Sequence, residues 1–92
     1  MIRSFKCPET ESLANGDRVK RFVNIEAVAR LKLRPLEIST RLEDLKAPPG
    51  NRLEALKGRR TGQFSIRIND QWRVCFRWTA AGAEDVEIID YH

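Results

Sequence analysis

Asp90, Tyr91 and His92 set a carboxylate, a phenol and the chain's one histidine side by side at the end of the sequence. Histidine is the side chain whose unperturbed pKa lies near neutrality, so an imidazole beside an acid is a candidate for proton transfer. Chain ends are more often solvated and frayed than catalytic, and the tripeptide gains its weight from what precedes it. Residues 52–77 hold Arg52, Lys57, Arg59, Arg60, Arg67, Arg73 and Arg77 against Glu54 and Asp70, seven basic groups to two acidic ones. A guanidinium is planar, always charged and bidentate towards phosphate, whereas an ammonium offers a point charge. RNA cleavage by attack of the 2′-hydroxyl on the adjacent phosphorus needs a base for that proton. It also needs an acid for the departing 5′ oxygen and cations over the phosphoryl oxygens. Arg73 and Arg67 suit the phosphate and Lys57 adds a charge; Asp90 and His92 share the proton work. Tyr91 is placed to bond a phosphate or stack on a base. The α-carboxylate of His92 favours the imidazolium, which fits a general acid better than a base. Plainer readings stand beside these: Arg73 as a cross-strand ion pair with Glu87 or Asp85, Trp72 and Trp78 as core, and Tyr91 as a wedge closing the sheet.

Those groups need a scaffold, and 92 residues are enough for one domain with a small core. Apolar residues at 41% and charged ones at 33% are ordinary for a globular chain, and no segment is repetitive enough to read as disordered. Apolar runs are only a few residues long, which predicts neither a membrane span nor a secretory signal and makes the cytoplasm the expected compartment. Cys7 and Cys75 are far apart, with one histidine to support them, so no zinc site is expected and no cofactor is called for. Cys75, on an apolar strand, reads as a small buried hydrophobe, and Cys7 as incidental. A net charge of +4 favours a polyanionic partner without identifying one.

Met1 to Phe5 reads as a short opening strand. Pro8 suits the first turn of a helix over Glu9 to Ala14, with Asn15-Gly16 as its stop. Asn24 is placed to cap a second helix in which Ile25, Val28, Ala29, Leu31 or Lys32, and Leu36 recur, with Arg30 and Arg34 opposite and Pro35 forcing a kink or a break. Thr40 followed by Glu43 is a capping-box pattern for a third segment with Leu42 and Leu45. Pro48-Pro49-Gly50-Asn51 ends the helical half, about 8–46, and opens a strand half, about 52–92. There the period changes to two: Leu53 to Lys57 briefly, then Phe64, Ile66 and Ile68 on one face, an Asn69-Asp70 turn, and Trp72, Val74, Phe76 and Trp78 on one face. Val86 and Ile88 repeat the alternation before Asp90. The expected fold is α+β, with N-terminal helices packed on one face of a twisted antiparallel sheet. The other face then belongs to Ser65, Arg67, Arg73 and Arg77, an arginine-lined groove.

Three stretches together resemble a known family: Pro48 to Gly58, Gly62 to Phe76 with its Ser65-Ile66-Arg67-Ile68-Asn69 and Trp72-Arg73, and Val86 to His92. They are similar to the HigB branch of the RelE/ParE toxin superfamily, and Met1 to Phe5 also fits that branch. The resemblance implies a RelE-like domain over residues 1–92, and the toxin of a type II toxin–antitoxin module. Such toxins cleave translated mRNA in the aminoacyl site of the 30S ribosomal subunit without a metal or other cofactor, and so inhibit translation and growth. The implied partner is HigA, a helix-turn-helix antitoxin, through which alone operator DNA is bound; no membrane is involved. Carried over by residue, the acid-Tyr-His ending falls on Asp90, Tyr91 and His92, the strand arginine on Arg73, and the basic residue before the glycine on Lys57. Arg67, Arg52 and Arg77 are further phosphate-binding candidates. A pattern of the branch has histidine where this chain has Glu54, which makes Glu54 a candidate base or a partner of Arg52 or Arg73, and the toxin a mild one.

Two other classes fit the same scaffold: a ParE-like gyrase poison, which would not require Arg73 with the Asp90-Tyr91-His92 ending, and a nucleic-acid-binding module without catalysis.

Overall fold

The computed structural model describes residues 1–47 and 49–90; the readings placed on Pro48, Tyr91 and His92 lie outside the described residues. Helix α1 spans Pro8–Ala14 and helix α2 Glu26–Ile38. Strands β1 (Glu54–Ala55), β2 (Gln63–Arg67), β3 (Trp72–Thr79) and β4 (Gly82–Asp90) form one antiparallel sheet in sequence order. Short 3-10 turns at Lys20–Phe22, Leu42–Lys46, Pro49–Asn51 and Gly58–Arg60 connect them. The α+β reading holds, with both helices on one side of the sheet.

The core is what the strand alternation requires. Ile66, Val74, Phe76, Val86 and Ile88 are each at most 1% exposed and pack on Leu13, Phe22, Ala29, Leu33, Leu36 and Leu45. Seven residues are too few for an isolated helix, so α1 depends on this packing. Thr10, wholly buried, accepts a hydrogen bond from the Ile88 N–H at 3.0 Å and ties α1 to the free side of β4. Arg30 secures the other end of α1: it donates to the Leu13 and Asp17 carbonyls at 3.0 and 2.9 Å, a cation placed where the helix dipole is negative.

Several local expectations shift. The opening segment is not a continuous strand: Ile2 and Phe5 make isolated bridges to Ala83 and Val86, parallel to β4, and so cover an edge that would otherwise be open. Asn24 does not cap α2; the helix starts after Ile25, which is buried and sets the start by packing. Its buried face is Ile25, Ala29, Leu33 and Leu36, whereas Val28 and Leu31 are 42% and 66% exposed. The helix runs through Pro35 to Ile38 with no new start, because Leu33 and Leu36 hold both sides of the proline in the core. The cap of the third segment falls one residue later than Thr40, where the Arg41 N–H donates to the Asp44 carboxylate at 3.3 Å.

One irregularity sets the phase of β4. Cys75 pairs with Glu87 but Arg77 with Glu84, so Phe76 stands against both Asp85 and Val86, and Asp85 takes a φ of 53°. This bulge lets Ala83 as well as Val86 and Ile88 face the core; strict alternation would have turned Val86 outwards.

Candidate functional site

The second face of the sheet carries the polar groups in rows. Register places Arg67 directly across from Arg73, and Arg73 across from Ile89; in the next row are Glu54, Ser65, Cys75 and Glu87, and beyond it Gln63 and Arg77. Like charges directly opposite on neighbouring strands repel, so an Arg67–Arg73 pair needs anions nearby. Each has one. The Arg73 Nη1 lies 3.5 Å from the Glu54 carboxylate, and Arg67 is bonded to Asp70 in the β2–β3 turn. The same pattern extends across the face, with Arg77 at 3.6 Å from Asp85 and Arg60 at 2.9 Å from Glu87. Of the partners expected for Arg73, Glu54 on β1 is the one found, whereas Glu87 pairs with Arg60 and Asp85 with Arg77.

Ser65, Arg67, Arg73 and Arg77 share this face as expected, but part of it is covered. Ser65 and Cys75 are buried, Arg73 is 8% exposed, and residues between Asn51 and Gly62 reach over them. Arg60 bonds both Gln63 at 3.1 Å and Glu87, while the Arg52 carbonyl accepts from the Arg73 Nη2 at 2.8 Å. The Ser65 hydroxyl has no hydrogen-bond partner among the described residues. Burial pushes the Cys75 thiol up to about 11, against the smaller opposing pull of Arg60, so it stays protonated and inert as a packed group.

Arg73 is therefore a buried, oriented guanidinium, and its orientation is inherited. Arg52 holds a φ of 47°, and the residue before it, Asn51, is wholly buried. The Asn51 amide donates to the Leu45 and Ala47 carbonyls at 3.2 Å each and accepts from Lys32 at 2.7 Å, fixing the loop that presents the Arg52 carbonyl. Neither Asn51 nor Arg60 stands out in the sequence; a buried asparagine after Pro-Gly reads there as turn chemistry, and its partner Lys32 is 19 residues away in the chain.

The proposed phosphate-binding residues do not form one cluster. Arg73, Arg67, the Arg52 backbone and Glu54 meet at the end of the sheet where β4 finishes. Arg77 is four residues from Arg73 along β3, roughly 13 Å at strand spacing, and opposite Gln63. Lys57 is exposed just after β1; like the side chains of Arg52 and Arg59 it has no ion-pair partner among the described residues. Asp90 pairs in register with Trp72, which places it on the helix-facing side of the strand, and it accepts from the Gln71 amide at 3.0 Å. Tyr91 and His92, next in the sequence, lie outside the described residues.

Two relatives carry much of this chain. It is 38% identical over 80 residues to the toxin HigB-1 of Vibrio cholerae serotype O1, covering 85% of this chain and 84% of that one. It is 34% identical over 55 residues to an uncharacterized protein of Haemophilus influenzae, covering 60% of this chain and 54% of the other. A family model matches residues 11–92, from within α1 through every residue of the Arg67–Arg73 row to the end, and on that span the chain belongs to the RelE-like toxins of the type II toxin–antitoxin system HigB.

Proposed function

We propose that this toxin is an endoribonuclease that cuts translated mRNA in the ribosomal aminoacyl site, by acid/base chemistry of its own side chains without a metal, and so arrests translation and growth in the cytoplasm. The observation that carries the reading is Arg73: a strand guanidinium nine-tenths buried, set against Arg67 and aimed by the Arg52 carbonyl. Such a group is oriented before the substrate arrives, and preorganised charge is the largest contribution an enzyme makes to a phosphoryl transition state.

In this reading Arg73 and Arg67 hold the non-bridging oxygens of the scissile phosphate, with Arg52 and Lys57 on the flanking backbone. The 2′ oxygen attacks phosphorus as Glu54 takes its proton; the P–O5′ bond breaks and the departing oxygen takes a proton from His92, which leaves a 2′,3′-cyclic phosphate and a 5′-hydroxyl. Asp90 and Tyr91 orient that ending. Arg77, at the far end of the face, contacts backbone or rRNA rather than the reacting phosphate. The ribosome supplies the alignment of 2′-hydroxyl and phosphorus that a small basic domain alone does not. A HigA-type helix-turn-helix antitoxin holds the toxin inactive and carries the complex to operator DNA.

The test is to map transcript 5′ ends after brief induction of the parent, Arg73→Ala and His92→Gln chains. The parent produces cuts within translated messages, and both variants, folded by circular dichroism, lose them together with growth inhibition. Undiminished toxicity in both variants, or DNA breaks with intact messages, would sink the nuclease reading, the second in favour of a gyrase poison.

A further inference from the structure

Ser65, in the middle of β2, is wholly buried, and its hydroxyl has no hydrogen-bond partner among the described residues. Buried polar groups are nearly always paired, and an orphan costs stability that an alanine in its place would not. Register shows what lies beside it. Glu54 stands directly opposite on β1 and Cys75 directly opposite on β3, so the three side chains share the second face. Opposed residues on neighbouring strands hold their Cβ atoms roughly 4.5–5.5 Å apart, a gap that a glutamate side chain spans. Glu54 is turned elsewhere in the free protein, 3.5 Å from the Arg73 Nη1, while Nη2 donates to the Arg52 carbonyl.

A phosphate that takes Nη1 of Arg73 displaces the carboxylate, which then needs another donor. Most donors on this face are engaged, Arg67 by Asp70 and Arg60 by Gln63 and Glu87, and the Cys75 thiol is a weak one. Arg52 and Lys57 are exposed, and a salt bridge to either would hold the negative charge and oppose the uptake of a proton. A neutral hydroxyl opposes it less. We propose that Ser65 is a positioning residue for Glu54: once the scissile phosphate occupies Arg73, the Ser65 hydroxyl donates to the displaced carboxylate and holds it towards the 2′-hydroxyl. The orphan of the free protein is the partner of the loaded one. The inference rests on Glu54 as the base and adds the group that aims it.

The experiment compares the parent, Ser65→Ala, Glu54→Gln and the double variant on mRNA-programmed ribosomes, by single-turnover cleavage and by binding affinity, with a melting curve for each chain. Ser65→Ala is expected to melt at or above the parent and to bind as the parent does. It cleaves about 10-fold or more slowly, the weight of one hydrogen bond to a charged group. In the Glu54→Gln background the same change leaves the rate within about two-fold, because the group it acts through is gone. A Ser65→Ala chain that melts below the parent, binds more weakly, cleaves at the parental rate or loses rate equally in both backgrounds overturns the positioning role and leaves Glu54 as the base. A Glu54→Gln chain that cleaves at the parental rate overturns the base and this inference together.

Discussion

At the scale of single residues, the roles proposed for Glu54 and Arg73 are coupled, because the carboxylate lies 3.5 Å from the guanidinium proposed to bind phosphate. Replacing Glu54 by glutamine separates its two roles. As a base, its loss lowers single-turnover cleavage on programmed ribosomes by about 100-fold, the usual weight of a proton-transfer group, with binding unchanged or tighter because Arg73 has lost its carboxylate. Cleavage at the parental rate would leave Glu54 as an ion-pair partner alone. Asn51→Ala removes the donor from the buried Leu45 carbonyl and from the part-buried Ala47 carbonyl and should cost about 1–3 kcal/mol by urea denaturation. Cys75 gives a pH signature. Its pKa rises from 9.0 to about 11 on folding, so between those values the native state keeps a proton that the unfolded chain has lost. Stability is level below about pH 9 and falls by roughly 2–3 kcal/mol in all as pH rises to about 11. A Cys75→Ala chain, titrated beside the parent, lacks that decline.

At the scale of elements, legibility followed the strength of the local pattern. The β2–β3 hairpin was fully readable: alternation fixed which residues face the helices, and Asn69, whose side chain accepts from the Gln71 and Trp72 N–H groups at 2.8 Å, made the turn. The same alternation put Arg67 and Arg73 on one face, whereas Glu54 was singled out by family likeness. In α2 the reading placed Ile25, Ala29 and Leu36 in the core correctly but added Val28 and Leu31, for a physical reason. The helix carries apolar residues on two stripes, 25/29/33/36 and 28/31/35/38, and periodicity alone does not say which is buried. The bulge at Asp85 and the covering of the second face were illegible too, since both arise from contacts between segments remote in sequence. Gly82 is a case in which structure alone assigns the role. Its φ is +126°, and an added Cβ would stand 2.0 Å from the Met1 carbonyl oxygen, so this glycine admits the opening segment to the edge of β4. Gly82→Ala should therefore lower stability by about 1–3 kcal/mol and speed amide exchange at Arg3 and Ala83, whose N–H groups bond across that junction.

At the scale of the molecule, the charge is sorted rather than spread. Arginines on the second face, from buried Arg73 to exposed Arg77, are paired in place with Glu54, Asp70, Asp85 and Glu87, so they contribute geometry more than long-range attraction. On the loop beside that face, the exposed cations without an ion-pair partner among the described residues are Arg52, Lys57 and Arg59. Attraction by exposed charge is released counterion entropy and falls with salt, whereas a buried, paired guanidinium acts only after docking and is little screened. The two groups therefore separate in experiment. Removing Arg52 and Lys57 together by alanine substitution should weaken binding to mRNA-programmed ribosomes most at low salt. It should also flatten the log–log dependence of affinity on salt by about 0.7 per lost phosphate contact, with the rate of cleavage once bound nearly retained. Arg73→Ala should do the reverse, leaving the salt slope almost unchanged and abolishing the chemical step. A salt slope that responds equally to both changes would mean that Arg73 meets its phosphate while still exposed to solvent, which its burial argues against.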